Sequence, residues 1–338
     1  MIEKYYNGVI EQVAGGIGNV EHNSILVRYS NDFSIWDLES VNHYKDQTDI
    51  FFTCHEFSYN KIAEAYEPYL GLIRQMFHKY CSGTLEEFME ECDVYKLQRP
   101  VFESYFEKGF CERTEQILID EVEYEQERMH SSIVTMLQKL SEICPIVIVL
   151  NRFQLASKST MQLTNRLLQT KNKNIGIVLG VNDVQSIPEF AHEEWDAICE
   201  SMDDRNMVYH IGNAGRNMEP DVMDYYSDYE SDDGYRKLNN LVYFLDFDQA
   251  DHHLSKIERR IKFDNFTISE KKHYQLLLLQ IMVSVLQRDI AKALESCEDL
   301  EKLQDQEKEG AFYYNFWMAT SYMYLGKLEE AMIYVQKA

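Results

Sequence analysis

Five short apolar runs set the strongest constraint on the fold. They are SILVRY (24–29), DIFFTC (49–54), PIVIVL (145–150), IGIVLGV (175–181) and the weaker NMVYHIG (206–212), with longer amphipathic stretches between them. Runs this short and this rich in β-branched residues are strands. Strands that alternate with helical crossovers form a parallel sheet carrying helices on its faces. The longest crossover, residues 60–143, contains SSIVTMLQKLSEIC, in which Ile133, Leu137, Leu140 and Cys144 share one helical face.

The pattern changes near residue 220. EPDVMDYYSDYESDDG (219–234) carries seven acidic residues and no basic one, and reads as a solvated linker. A docking peptide with tyrosine anchors is the functional alternative for it. From Tyr235 to Ala338 there is no proline and every stretch has helical periodicity. The expected organisation is an α/β domain over 1–218, an acidic linker over 219–234 and an all-α domain over 235–338.

Within the all-α part, DIAKALESCEDL (289–300) superposes on KLEEAMIYVQKA (327–338) at an offset of 38 residues, pairing Ile290 with Leu328 and Ala293 with Ala331. Each segment follows an aromatic or aliphatic helix, and Gly326 stands where a helix C-cap glycine belongs. DFDQADHHLSKIERRI (246–261) is a weaker third match. This pattern resembles the tetratricopeptide repeat (TPR), whose period is about 34 residues. The resemblance implies helical hairpins that bind a protein partner, with self-association compatible with it. The last helix still has an apolar face, so further repeats or an output domain are expected beyond residue 338. In the aromatic helix of residues 312–324, one face is expected in the core and the other is a candidate peptide-binding surface.

Charge narrows the partners. With 33 basic and 57 acidic residues, a net charge of −24, the chain repels phosphate backbones and anionic headgroups. No basic run offsets this, so neither direct nucleic-acid binding nor membrane binding is expected. Seven cysteines lie singly, without the close pairs of zinc or redox motifs, which suits reduced thiols in a cytoplasmic protein. No apolar stretch approaches the roughly 20 residues of a membrane span.

The run PIVIVL is followed by Asn151 and Arg152, then by Gln154, Ala156, Ser157 and Ser159 ahead of a helix. Proline, apolar strand, polar turn, helix and next strand resemble the Walker B half of signal-transducing STAND and AAA-like P-loop ATPases. In that family the strand ends in paired acids, whose places Asn151 and Arg152 take here. AYEPYLGLIRQM (65–76) is the closest verbal match to the family elsewhere in the chain. A phosphate loop, G-x-x-x-x-G-K-[ST], uses glycines to bring backbone N–H groups onto the phosphates, lysine to reach the terminal ones and a hydroxyl to bind magnesium. In YSNDFSIW (29–36), Tyr29 and Ser34 occupy the glycine positions, Ile35 the lysine and Trp36 the hydroxyl, while Asp32 opposes a phosphate. The glycines of AGGIGN (14–19) precede the first strand, and no lysine follows them. Asn182, at the end of the fourth strand, sits where the family places a polar residue that senses the terminal phosphate; without a phosphate loop it reads as a strand-end cap.

The resemblance therefore implies an ATPase-like module without catalytic residues, metal or cofactor, acting in signal transduction as a regulatory or scaffold element. The competing expectation is a nucleotide-dependent switch, binding ATP with magnesium, in which Asn151 and Asn182 polarise a water and Arg152 or Arg28 replaces the lysine. Relatives of this architecture carry transcription-factor or nucleotide-cyclase outputs, which here would lie outside these residues. His252 and His253, beside Asp248 and Asp251, read as a solvated helix face; Asp203 with Asp204 and Glu193 with Glu194 sit at no strand tip.

Overall fold

The computed structural model describes residues 2–19, 23–30, 34–58, 61–111, 122–170, 172–183, 187–203, 207–211, 229, 231–264, 266–303 and 310–338. Residues 31–33 of the expected phosphate-loop segment, Asp204, and 219–228 and 230 of the expected linker lie outside these. The chain divides into one unit of residues 1–116 and 123–227, and another of residues 117–122 and 228–338.

The first unit is built on β1 (Ser24–Tyr29), β2 (Phe51–Glu56), β3 (Ile146–Asn151), β4 (Ile175–Asn182) and β5 (Val208–Ile211). They form a parallel sheet in the order β2-β3-β4-β1-β5. Every residue of β3 and β4 is buried, as strands covered on both faces must be. The β2 run was expected to stop at Cys54. It continues through His55 and Glu56, because their backbones stay in register with Leu150 and Asn151. Hydrophobic patterning is blind to a strand that ends on polar residues.

Helix α1 (Ile2–Gly16) buries Tyr6, Val9, Ile10 and Val13, a stripe at helical spacing, and packs on β1, β3 and β4. Two glycines of β4 let it approach. A Cβ on Gly176 would stand 2.6 Å from Val13 Cγ1, and one on Gly180 would overlap the Tyr6 hydroxyl and lie 2.6 Å from Asn151 Oδ1. Among the described residues, β1 is followed by a single turn, Ile35–Asp37, and the short α2 (Glu39–Lys45), which packs on β2 and α1. The helix over β1 is thus the one that precedes it.

Further along come α3 (Tyr69–Tyr80), α4 (Leu85–Glu91), α5 (Arg99–Lys108), α6 (Val122–Ile143), α7 (Lys158–Gln169) and α8 (His192–Asp203). The expected face of α6, Ile133, Leu137, Leu140 and Cys144, is buried. Thr84 and Glu87 close a reciprocal capping box that starts α4.

The second unit is helical: α9 (Asp232–Tyr243), α10 (Phe247–Phe263), α11 (Glu270–Leu286), α12 (Ile290–Glu301), α13 (Gly310–Tyr324) and α14 (Leu328–Val335). Helix α11 is buried on every side from Leu276 to Leu286, and α9, α10, α12 and α13 all pack against it. Three tight turns share one geometry. Leu245, Arg288 and Gly326 take left-handed φ values of 66°, 63° and 71°. In each turn the next residue's N–H reaches back five residues: Asp246 to Leu241 O, Asp289 to Ser284 O and Lys327 to Tyr322 O, at 2.8–2.9 Å. That is the six-to-one bond of a Schellman cap. Ala250, Ala293 and Ala331, each five residues past its left-handed residue, are buried. His253 departs from the solvated face expected for it: it is fully buried, and its Nδ1 lies 3.1 Å from Tyr229 Oη. No helix among the described residues is long and apolar enough to cross a membrane.

Candidate functional site

In an open parallel sheet, ligands bind beyond the carboxyl ends of the strands, where successive connections leave in opposite directions. Here the connection from β1 leaves toward β2 at one edge, and that from its neighbour β4 leaves toward β5 at the other. The carboxyl ends of β1, β3 and β4 are therefore where a site belongs, and Tyr29, Asn151 and Asn182 terminate these three strands.

The fold brings those three residues together. Tyr29 is in register with Asn182 across the β1–β4 ladder, and its buried phenol donates to Asn151 Oδ1 at 2.7 Å. The ring of Tyr6 meets that of Tyr29 edge-on, with centroids 6.5 Å apart. Burial, followed by the neighbouring Tyr29, Glu56 and Cys54, pushes the Tyr6 phenol well above its ordinary range, so it stays neutral. Asn182 is fixed through its main chain: its N–H donates to Gln154 Oε1 and its carbonyl accepts from Gln154 Nε2, each at 3.4 Å. Sequence alone gave no signal for Tyr6 or Gly180, because which helix covers the strand tips is a matter of topology.

The remaining residues of the expected site separate. Ile35 is buried in the same core cluster as Tyr6, Tyr29 and Val149. Trp36 is half exposed, and the Ser34 hydroxyl accepts from Trp36 N at 3.3 Å, capping that single turn. Arg152 holds a left-handed φ of 53°, and its Nε lies 3.6 Å from Glu56 Oε1. The carboxylate absent from the β3 tip is thus supplied by its neighbour β2, where it faces a guanidinium. Beside this pair, His55 Nε2 lies 3.5 Å from Glu67 Oε1. Alternation along β1 puts Arg28 on the opposite face from Tyr29. There it lies 3.4 Å from Asp183 Oδ1, donates to Cys199 Sγ at 3.1 Å and stacks over Trp195 at 5.9 Å.

The Gln154–Ser159 segment and the AYEP segment are stapled together. Ser157 caps α7 by accepting from Thr160 N, Thr160 Oγ1 donates to Glu67 O at 3.1 Å, and Tyr66 N donates to Ser159 Oγ at 3.3 Å. Tyr69 and Thr164 share a further hydroxyl bond of 2.7 Å. Like Arg152, Tyr66 has a left-handed backbone, with φ 57°. Two non-glycine residues strained in this way at one end of a sheet mark a place where surrounding structure overrides local preference.

Chemically, the tip presents phenols and carboxamides bonded to one another, with charges paired laterally. Among the described residues no group of three or more His, Cys, Asp or Glu side chains could hold a metal ion. Burial pushes the Cys54 thiol up to about 11 and those of Cys92 and Cys297 to about 12, away from activated nucleophiles. No family model matches the chain, and no curated protein matches it.

Proposed function

We propose that this protein is a non-catalytic, ATPase-like regulatory or scaffold module whose helical hairpins engage a protein partner. The observation that carries this reading is the closed tip of the sheet. A phosphate and its magnesium need exposed N–H groups, a cation and a carboxylate at the ends of β1 and β3. Those positions hold the Tyr29 phenol bonded to the Asn151 amide, with Tyr6 packed beneath and Ile35 turned into the core. The tip is stitched together by its own side chains, as befits a domain whose sheet serves as a frame. The three equivalent helical turns support the partner-binding half of the reading, since repeated hairpins build extended binding surfaces.

A phosphate-release assay with ATP and GTP in magnesium buffer tests the enzymatic side. The expected trace is flat. Turnover that disappears in Arg152→Ala would instead favour a nucleotide-dependent switch with unorthodox residues, because losing a charged clamp at a phosphoryl site costs about three or more powers of ten in rate.

A further inference from the structure

Helices α6, α7 and α8 of the first unit wall an open cavity of about 330 Å³. That is the small end of the range for ligand pockets, room for a small molecule and not for a folded partner. Polar side chains bridge its walls. Arg166 on α7 reaches across to α6, where it pairs with Glu127 and donates to Ser131 Oγ at 3.1 Å. Gln126 and Gln162 meet from the same two helices at 3.5 Å.

Two acceptors in these walls go unmet among the described residues. The Glu194 side chain on α8 is 12% exposed; its Oε1 accepts from Gln162 Nε2 at 2.9 Å and lies 3.5 Å from Lys158 Nζ, while its Oε2 is buried without a partner. His130 on α6 is 5% exposed, and its Nε2 is likewise buried without a partner. Burial, reinforced by Arg166 and opposed by Glu127, lowers the His130 pKa to about 4, so at neutral pH the ring is uncharged and keeps an acceptor nitrogen. A buried acceptor left unpaired carries a desolvation cost that an incoming donor removes. The terminal torsion of a glutamate is broad, so a small rotation turns Glu194 Oε2 toward such a donor.

Charge selects the sign of the ligand. Three carboxylates, Glu127, Glu193 and Glu194, line the cavity against one guanidinium, and that guanidinium is already paired with Glu127. The net charge of −24 on the whole chain adds to the same field. A metal ion is a poor match, since no group of three or more His, Cys, Asp or Glu side chains among the described residues could hold one. An organic cation that carries its own N–H donors needs only the acceptors present.

We propose that this cavity binds a small aliphatic amine or guanidine, whose charged end donates to Glu194 and His130 beside the exposed carboxylate of Glu193. Bound there, the ligand ties α6 to α8 and gives a regulatory module a small-molecule input. The site shares no residue with the strand tips and does not depend on whether they hold a nucleotide.

Isothermal titration calorimetry of the full chain with agmatine and with 1,4-diaminobutane, at physiological ionic strength, tests this. The expected isotherm shows one site with a Kd between about ten micromolar and one millimolar. A stronger response to agmatine identifies the guanidinium as the bound end, and a stronger response to the diamine identifies the ammonium. Ala197→Leu, which fills the cavity without changing any charge, and Glu194→Gln should each weaken binding about tenfold or more with the circular dichroism spectrum unchanged. Glu329→Gln, the same loss of charge in the second unit, should leave binding as it was. The bis-quaternary, fully methylated form of the diamine has equal charge and no N–H donor, and should not bind. Absence of heat up to about ten millimolar overturns the proposal. So does binding that survives Ala197→Leu or that the quaternary form matches, since that is the diffuse attraction of an acidic chain for any cation. None of these results bears on the nucleotide measurements, so the two readings fail separately.

Discussion

The Tyr29 phenol donates a 2.7 Å hydrogen bond to Asn151 Oδ1, joining the ends of two strands that are not neighbours in the sheet. Strand β4 runs between them, and the missing side chain of its Gly180 leaves room for Asn151 Oδ1 and the Tyr6 hydroxyl. Removing the hydroxyl leaves a buried carbonyl oxygen without its donor, at a cost of about 1–3 kcal/mol. Tyr29→Phe should therefore lower the urea midpoint with little change in slope. Asn151→Leu in the Tyr29→Phe background should recover part of the loss, since an apolar pair leaves no orphaned acceptor.

Acid should destabilise the first unit through His130. This residue is buried on α6, its ring edge-on to Tyr66 at 5.4 Å. Burial, reinforced by Arg166 and opposed by Glu127, lowers its pKa from an ordinary 6.5 to about 4. The unfolded chain thus binds the proton more readily than the folded one. The stability due to neutral His130 is complete above about pH 6.5 and is lost as the pH falls through about 4, a contribution on the order of 3 kcal/mol. Thermal melts between pH 7 and 4 should show a steeper decline for the parent chain than for His130→Gln.

The turns of the helical unit predict opposite outcomes for two single substitutions. Arg288 is exposed and pays for a left-handed backbone, while Gly326 adopts one freely, with open space around its α-carbon. Arg288→Gly should stabilise the unit slightly, and Gly326→Ala should destabilise it by about 1 kcal/mol. Paired chemical denaturation curves read both shifts.

Much of the architecture was legible because the strands are continuous apolar runs. SILVRY coincides with β1, while PIVIVL differs from β3 by one residue at each end and IGIVLGV from β4 by one residue at its end. The termini were less legible: Asn151 and Asn182 extend their strands by one polar residue each, and His55 and Glu56 extend β2 by two. Strand pairing continues wherever backbone partners continue, whatever the side chains. The convergence of Tyr29, Asn151 and Asn182 could be anticipated, since all three were placed at strand ends. The parts played by Tyr6 and Gly180 could not, because periodicity assigns α1 an apolar face without saying which strands that face covers. His253 was misread for a related reason: an aspartate-rich neighbourhood suggested solvent, but its helix turns that one ring toward Tyr229. The Arg152–Glu56 pair was out of reach while β2 was expected to end at Cys54.

We propose that the Tyr29–Asn151 pair at the ends of β1 and β3 leaves no nucleotide site there. Isothermal titration calorimetry with ATP and GTP, each with and without magnesium, tests it most directly. No binding heat is expected at any concentration up to the millimolar range, for the parent chain and for Tyr29→Phe alike. Micromolar binding by the parent chain, lost on substituting Ser34 or Arg152, would contradict it.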